Sequence, residues 1–161
     1  MNIFDFAMKM ESDGKAYYEM LAAETVETGL KAIFTRLAAD EQKHYETIQA
    51  IKADTVWPMV DSTTLDEARN LFEDLIQDRN IAGSLKKSLE GYQHAREIEA
   101  DSIRFYEDMA GKESRPDIRE LLLRITKEEK NHYAIIDNLC DFVLAPQNYL
   151  EWGEFSNLKE L

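Results

Sequence analysis

Asp40-Glu41-Gln42-Lys43-His44-Tyr45 and Glu128-Glu129-Lys130-Asn131-His132-Tyr133 are two copies of one pattern, 88 residues apart (129 − 41). The same offset carries Glu11 to Glu99, Tyr18 to Tyr106 and Ile48 to Ile136, so the chain contains an internal duplication. In each half a lone Glu precedes the Glu-x-x-His by 30 residues (41 − 11 and 129 − 99), and the midpoints fall on Val26 and Ser114. Both midpoints lie in or just before a turn signal. Residues equidistant from the turn of an antiparallel helical hairpin share one height, so Glu11 is expected to face Glu41, and Glu99 to face Glu129.

The apolar residues around these motifs recur at helical spacing. A first helix carries Phe4, Ala7, Met8, Gly14, Tyr18, Leu21 and Ala22 on one face and runs to about Glu27, stopping at Thr28-Gly29. A second carries Leu30, Ile33, Phe34, Leu37, Ile48 and Ile51, and fades between Asp54 and Pro58. A shorter helix follows Asp61-Ser62-Thr63, with Thr64 and Glu67 spaced as a capping box and Gly83 as its end. Ser84 to Ala110 and Pro116 to Leu144 form the third and fourth long helices, the latter opened by a proline and closed by Pro146. The expected fold is all-α: a four-helix bundle over 1–146, with a crossover at 54–83 holding a short extra helix, then a tail at 147–161. The tail aromatics Tyr149, Trp152 and Phe155 are read as a cap for the bundle end or for a partner subunit.

Composition narrows the partners. The 161 residues fit one domain, and 44% apolar residues suffice for one core. Only 6 Gly and 3 Pro argue against a sandwich or barrel, which needs a turn every ten residues or so. A net charge of −13 repels nucleic-acid phosphates and anionic lipid headgroups alike. The single cysteine, Cys140, excludes a disulfide framework or a four-thiolate metal site made by this chain. It lies eleven residues (140 − 129) from Glu129, about 16 Å along a helix, and reads as a core thiol. With neither a basic leader nor an apolar span, the chain is read as cytoplasmic.

The chemistry lies in what interrupts the apolar stripes: Glu11, Glu41 and His44, then Glu99, Glu129 and His132. A carboxylate on a buried stripe is costly unless it is paired or bound to a cation. A single Glu-x-x-His in an acidic helix would read as surface decoration; six matched inward positions do not. Glu and His three residues apart project from one side of a helix, within reach of one ion or of adjacent ones. Four carboxylates balance two divalent cations, and two neutral imidazoles complete the shells, so the set predicts a dinuclear site. Mixed oxygen and imidazole ligation favours iron or manganese and permits zinc. His94, the one histidine outside the repeat, reads as a solvated residue, and Tyr17, Tyr45 and Tyr133 read as packing.

With these motifs, and with Met10-Glu11-Ser12-Asp13-Gly14-Lys15-Ala16-Tyr17-Tyr18 echoed by Ile98-Glu99 through Phe105-Tyr106, the sequence resembles the ferritin-like di-iron carboxylate proteins, in particular the rubrerythrin-like branch. The resemblance covers roughly residues 1 to 145. It implies that Glu41 and Glu129 bridge two irons, that Glu11 and Glu99 are terminal ligands, and that His44 and His132 each bind one iron. It further implies reduction of hydrogen peroxide or O2. Tyr18, seven residues from Glu11 and about 20° off its face, is expected to hydrogen-bond to the ligand shell, with Tyr106 as its mate.

The sequence departs from that pattern at three places. Full-length rubrerythrins add a four-cysteine rubredoxin domain, so here an external donor such as a rubredoxin-like protein is expected to bring electrons. The additional Glu that rubrerythrins place one turn from the third-helix ligand is missing; Arg96 and Ser102 stand there. Gln42 occupies the place of the haem-binding Met of bacterioferritins, so no haem is expected. Two alternatives accompany the peroxide reading. One is a ferroxidase of the ferritin type, which needs a hollow shell where the peroxide reading expects a homodimer. The other is a non-catalytic metal-holding module.

Overall fold

The computed structural model describes residues 2–55 and 58–147, apart from the Arg79 side chain; Tyr149, Trp152 and Phe155 lie outside them. Helix α1 spans Ile3–Glu24, α2 Thr28–Lys52, α3 Thr64–Leu75, α4 Arg79–Leu85, α5 Leu89–Lys112 and α6 Pro116–Leu144, with a 3-10 turn at Lys86–Ser88 between α4 and α5. The described residues form an all-helical bundle with no strand. None of these helices is long and apolar enough to cross a membrane.

Local chemistry sets the ends of the elements. Asn2 Oδ1 accepts from the Asp5 amide at 2.9 Å and starts α1. The first turn sits earlier than the Thr28-Gly29 signal suggests, because the Glu27 carboxylate takes the amides of Gly29 (3.2 Å) and Leu30 (2.6 Å) and so caps α2 from outside. Thr28 and Gly29 thereby become its first residues. Pro116 opens α6, where a missing N–H costs nothing.

In the crossover, Gly83 does not end the short helix. That helix stops at Leu75, and a separate one, α4, runs through Gly83 to Leu85. Three hydrophobic residues account for the extra element: Ile76, Ala82 and Leu85 all join the core, so burial overrides the weak helix propensity of glycine. The Thr64–Glu67 capping box does not form either. Ser62 Oγ accepts from the Thr64 amide at 3.1 Å, and Glu67 pairs with Arg36.

Helix α1 packs along α2 and α5 along α6, so each half of the duplication is one hairpin. Helix α3 lies against α2 and α6, and α4 against α6. The core divides into two apolar clusters. One is built on Tyr18, Leu21, Phe34, Leu37, Phe72, Tyr92, Leu139 and Val143, with Cys140 fully buried among them. The other is built on Ala7, Ile48, Met59, Tyr106, Met109, Leu122 and Ile125. Apart from Asn138, the buried polar residues of the four long helices fall between these clusters, so apolar plugs cover a polar layer from both ends.

Candidate metal centre

The six expected residues converge in that layer. Glu11, Glu41, His44 and Glu129 bring ligand atoms within 4.8 Å of one another, and Glu41, Glu99, Glu129 and His132 do the same. Glu41 and Glu129 belong to both groups, the place a bridging ligand takes. All six are 3% exposed or less, far drier than ordinary charged residues in a helical protein. His94, by contrast, has a 59% exposed side chain and rests edge-on against Tyr17.

The imidazoles are aimed. His44 Nε2 lies 2.8 Å from Glu128 Oε1, and His132 Nε2 lies 2.9 Å from Asp40 Oδ2. An Nε2–H donated to each carboxylate turns Nδ1 into the cluster, where its lone pair serves a metal once any proton on it is displaced. There His44 Nδ1 stands 2.8 Å from Glu129 Oε1 and 3.5 Å from Glu11 Oε2. His132 Nδ1 stands 2.9 Å from Glu41 Oε1 and 3.4 Å from Glu99 Oε1. Two ligands at right angles on an ion about 2.1 Å away are about 3 Å apart, so these are separations expected of neighbours in one coordination shell.

Several of the same atoms lack hydrogen-bond partners although they are buried: Glu11 Oε2, Glu41 Oε1, His44 Nδ1, Glu99 Oε2, both Glu129 oxygens and His132 Nδ1. Buried polar atoms are normally satisfied, and a converging set of orphans with lone pairs fits cations. The electrostatics agree. Burial, reinforced by Glu11, Glu129 and Glu99, pushes the Glu41 carboxyl well above its ordinary range; burial, with Glu99 and Glu11, does the same to Glu129. For both histidines burial opposes the charged form but is outweighed by the surrounding carboxylates, chiefly Glu11 for His44 and Glu99 for His132, so both are raised well above 6.5. Protons thus do part of the work that divalent cations would do here.

Tyr18 and Tyr106 both reach the ligand shell, but with exchanged partners. Tyr18 Oη donates to Glu99 at 2.5 Å and Tyr106 Oη to Glu11 at 2.6 Å, so each tyrosine serves the other hairpin. Seven residues of helix carry Tyr18 about 10 Å along the axis from Glu11, too far for a bond back, whereas α5 runs alongside α1. Burial, then the neighbouring carboxylates, pushes both phenols well above 10, which keeps them donors.

The sequence reading passed over Asp40 and Glu128. They are themselves an 88-residue pair (128 − 40), each four residues before a histidine on the same helix, so the repeat held the signal. Each serves the histidine of the opposite half, a pairing that only the assembled bundle displays. Both carboxyls are brought down to about 2: burial raises them, and hydrogen bonds from His132 to Asp40 and from His44 to Glu128 overcome it.

Gly14 is a second omission. A Cβ there would stand 3.2 Å from Glu41 Oε2, so glycine in mid-helix leaves room for a carboxylate shared by both groups. Gly14→Ala should leave the melting temperature within a few degrees, since a helix-propensity gain of about 1 kcal/mol offsets the crowding. Metal affinity should fall severalfold, which a calorimetric Zn(II) titration would read. Unchanged affinity would show that Glu41 yields freely.

A family model for rubrerythrin matches residues 2–140. No curated protein and no solved structure gives a significant match. The match spans both hairpins and every residue of the cluster, and the chain therefore belongs to the rubrerythrin family, a ferritin-like di-iron family.

Proposed function

We propose that this protein holds two metal ions, iron in the working enzyme, between Glu11, Glu41, His44, Glu99, Glu129 and His132, and reduces hydrogen peroxide with electrons from a separate redox protein. The observation that carries the reading is the set of unpartnered, buried lone pairs on these six residues. Two ferrous ions, when bound, supply the two electrons that convert hydrogen peroxide and two protons into two waters. The protein's own contribution is placement. Glu41 and Glu129 lie where one carboxylate can serve two ions, and Asp40 and Glu128 fix the imidazole tautomers. Tyr106 holds Glu11 Oε1 by a hydrogen bond and leaves Oε2 for metal, and Tyr18 fixes through Oε1 the Glu99 carboxylate, whose Oε2 has no hydrogen-bond partner. The apolar clusters above and below limit water, which strengthens each of these interactions.

An anaerobic protein sample given two equivalents of Fe(II) and mixed with peroxide or with O2 tests this reading. Near-ultraviolet ferric absorbance should rise much faster with peroxide, and size-exclusion chromatography should report a dimer. Faster oxidation by O2 in a large hollow assembly would transfer the reading to iron storage, and uptake without turnover would leave a metal-holding module.

A further inference from the structure

The duplication relates the two metal-facing halves, yet the crossover passes over only one side of the bundle and has no counterpart. Its segment 58–64 is fastened there by Arg124 Nη2 to the Met59 carbonyl (2.6 Å) and by Lys43 Nζ to the Val60 carbonyl (2.7 Å). Ser62 is thereby set down between the two carboxylates that orient the histidines. Its hydroxyl donates to Asp40 Oδ2 at 2.7 Å and its amide to Glu128 Oε2 at 3.0 Å. Asp40 holds His132 and Glu128 holds His44, so one residue of the crossover touches the supports of both imidazoles.

Those supports differ in kind. Glu128 also receives Lys43 Nζ, 2.9 Å from Oε1, whereas the repeat mate of Lys43 is the neutral Asn131 (131 − 43 = 88). Asp40 instead meets hydroxyls: besides His132, its carboxylate takes hydrogen bonds from Ser62 and Thr64, and Thr64 Oγ1 lies 2.9 Å from Ser62 Oγ. The His44 side thus rests on an ion pair and a backbone amide, and the His132 side on hydroxyls, of which that of Ser62 donates to the same Asp40 oxygen that meets His132.

We propose that Ser62 is a positioning residue whose hydroxyl, acting through Asp40, sets His132 for metal binding, and that the two metal positions are inequivalent because of it. This rests on the metal-centre reading above. Carboxylates hydrogen-bonded to metal-binding histidines typically change affinity about 10–100-fold when lost. Loss of one hydrogen bond to such a carboxylate falls at the lower end. A side-chain change at Ser62 leaves its amide on Glu128, so the His44 position serves as an internal control.

The test uses the isosteric pair Ser62→Thr and Ser62→Val. Both fill the same volume at the edge of an open cleft of about 290 Å³ lined by Arg36, Lys43, Asp61 and Thr64, so water cannot take the hydroxyl's place as it could in an alanine variant. Each apo protein is titrated with Co(II) while the visible ligand-field bands are followed. Wild type and Ser62→Thr should take two equivalents at matching affinities. Ser62→Val should keep one equivalent and bind the other about tenfold more weakly. In the loaded proteins, one of the two hyperfine-shifted imidazole N–H signals should exchange faster with solvent in Ser62→Val. Asp40→Asn should weaken the same step more, and adding Ser62→Val to it should change nothing further.

Ser62→Val binding both equivalents like Ser62→Thr would overturn the proposal, as would equal weakening of both steps. If Ser62→Val does not fold, Asp40→Asn decides: two equivalents at wild-type affinity there defeats the proposal too. Wild type that takes up no cobalt would instead bring down the metal-centre reading, and this inference with it.

Discussion

Loading the protein with divalent metal should raise its melting temperature by about 10 °C or more, and EDTA should reverse the rise. In the metal-free polar layer four carboxylates and two imidazoles are 3% exposed or less, and seven of their inward atoms have no hydrogen-bond partner. Burying such groups costs stability that neither apolar cluster recovers locally. The unfolded chain scatters the six residues over more than a hundred positions, so metal binds the folded state alone. At a free metal concentration a thousandfold above the dissociation constant, one site contributes about 4 kcal/mol. For a chain of this size each kcal/mol shifts the midpoint by about 2–4 °C. Differential scanning calorimetry with Mn(II), Co(II), Zn(II) and anaerobic Fe(II) measures the shift. A midpoint that none of these metals moves would show that the cluster holds protons only.

The hairpins and the six clustered residues were legible because symmetry doubles the signal. One Glu-x-x-His says little, but an offset shared by Glu11, Tyr18, Glu41 and His44 with Glu99, Tyr106, Glu129 and His132 does. Equal spacing about Val26 and Ser114 then placed each lone Glu across from its motif, and the turns do fall at 25–27 and 113–115. What escaped was contact between the halves. Asp40 with His132, Glu128 with His44, Tyr18 with Glu99 and Tyr106 with Glu11 all exchange partners across the bundle. Periodicity along one helix assigns a face and not the neighbour that meets it. The crossover was the least legible, since Ser62 has no repeat mate and Gly83 reads as a stop until the burial of Ala82 and Leu85 is known.

Replacing Glu129 by leucine should move stability and metal binding in opposite directions. Both oxygens of Glu129 are buried without a hydrogen bond, and Glu99 and Glu11 add repulsion to the cost of burial. Leucine has a similar volume and no charge, so it removes the cost of burying this carboxyl and its repulsion from Glu99 and Glu11, a gain that outweighs the lost contact with His44. The metal-free variant should therefore melt at least as high as metal-free wild type, by up to several degrees more. Because Glu129 belongs to both ligand groups, its loss strips a donor from each position at once. The variant should retain at most one equivalent of metal by elemental analysis, and the metal-induced rise in melting temperature should largely vanish. Glu41→Leu should behave alike, since Glu41 is the other shared residue, whereas His94→Ala should keep two equivalents and the full rise. A variant lacking Glu129 that still holds two ions would remove it from the bridging role. A metal-free variant that melts well below wild type would show that Glu129 is held by interactions the orphaned oxygens do not reveal. The paired outcome separates a residue kept for the fold from one kept at the fold's expense.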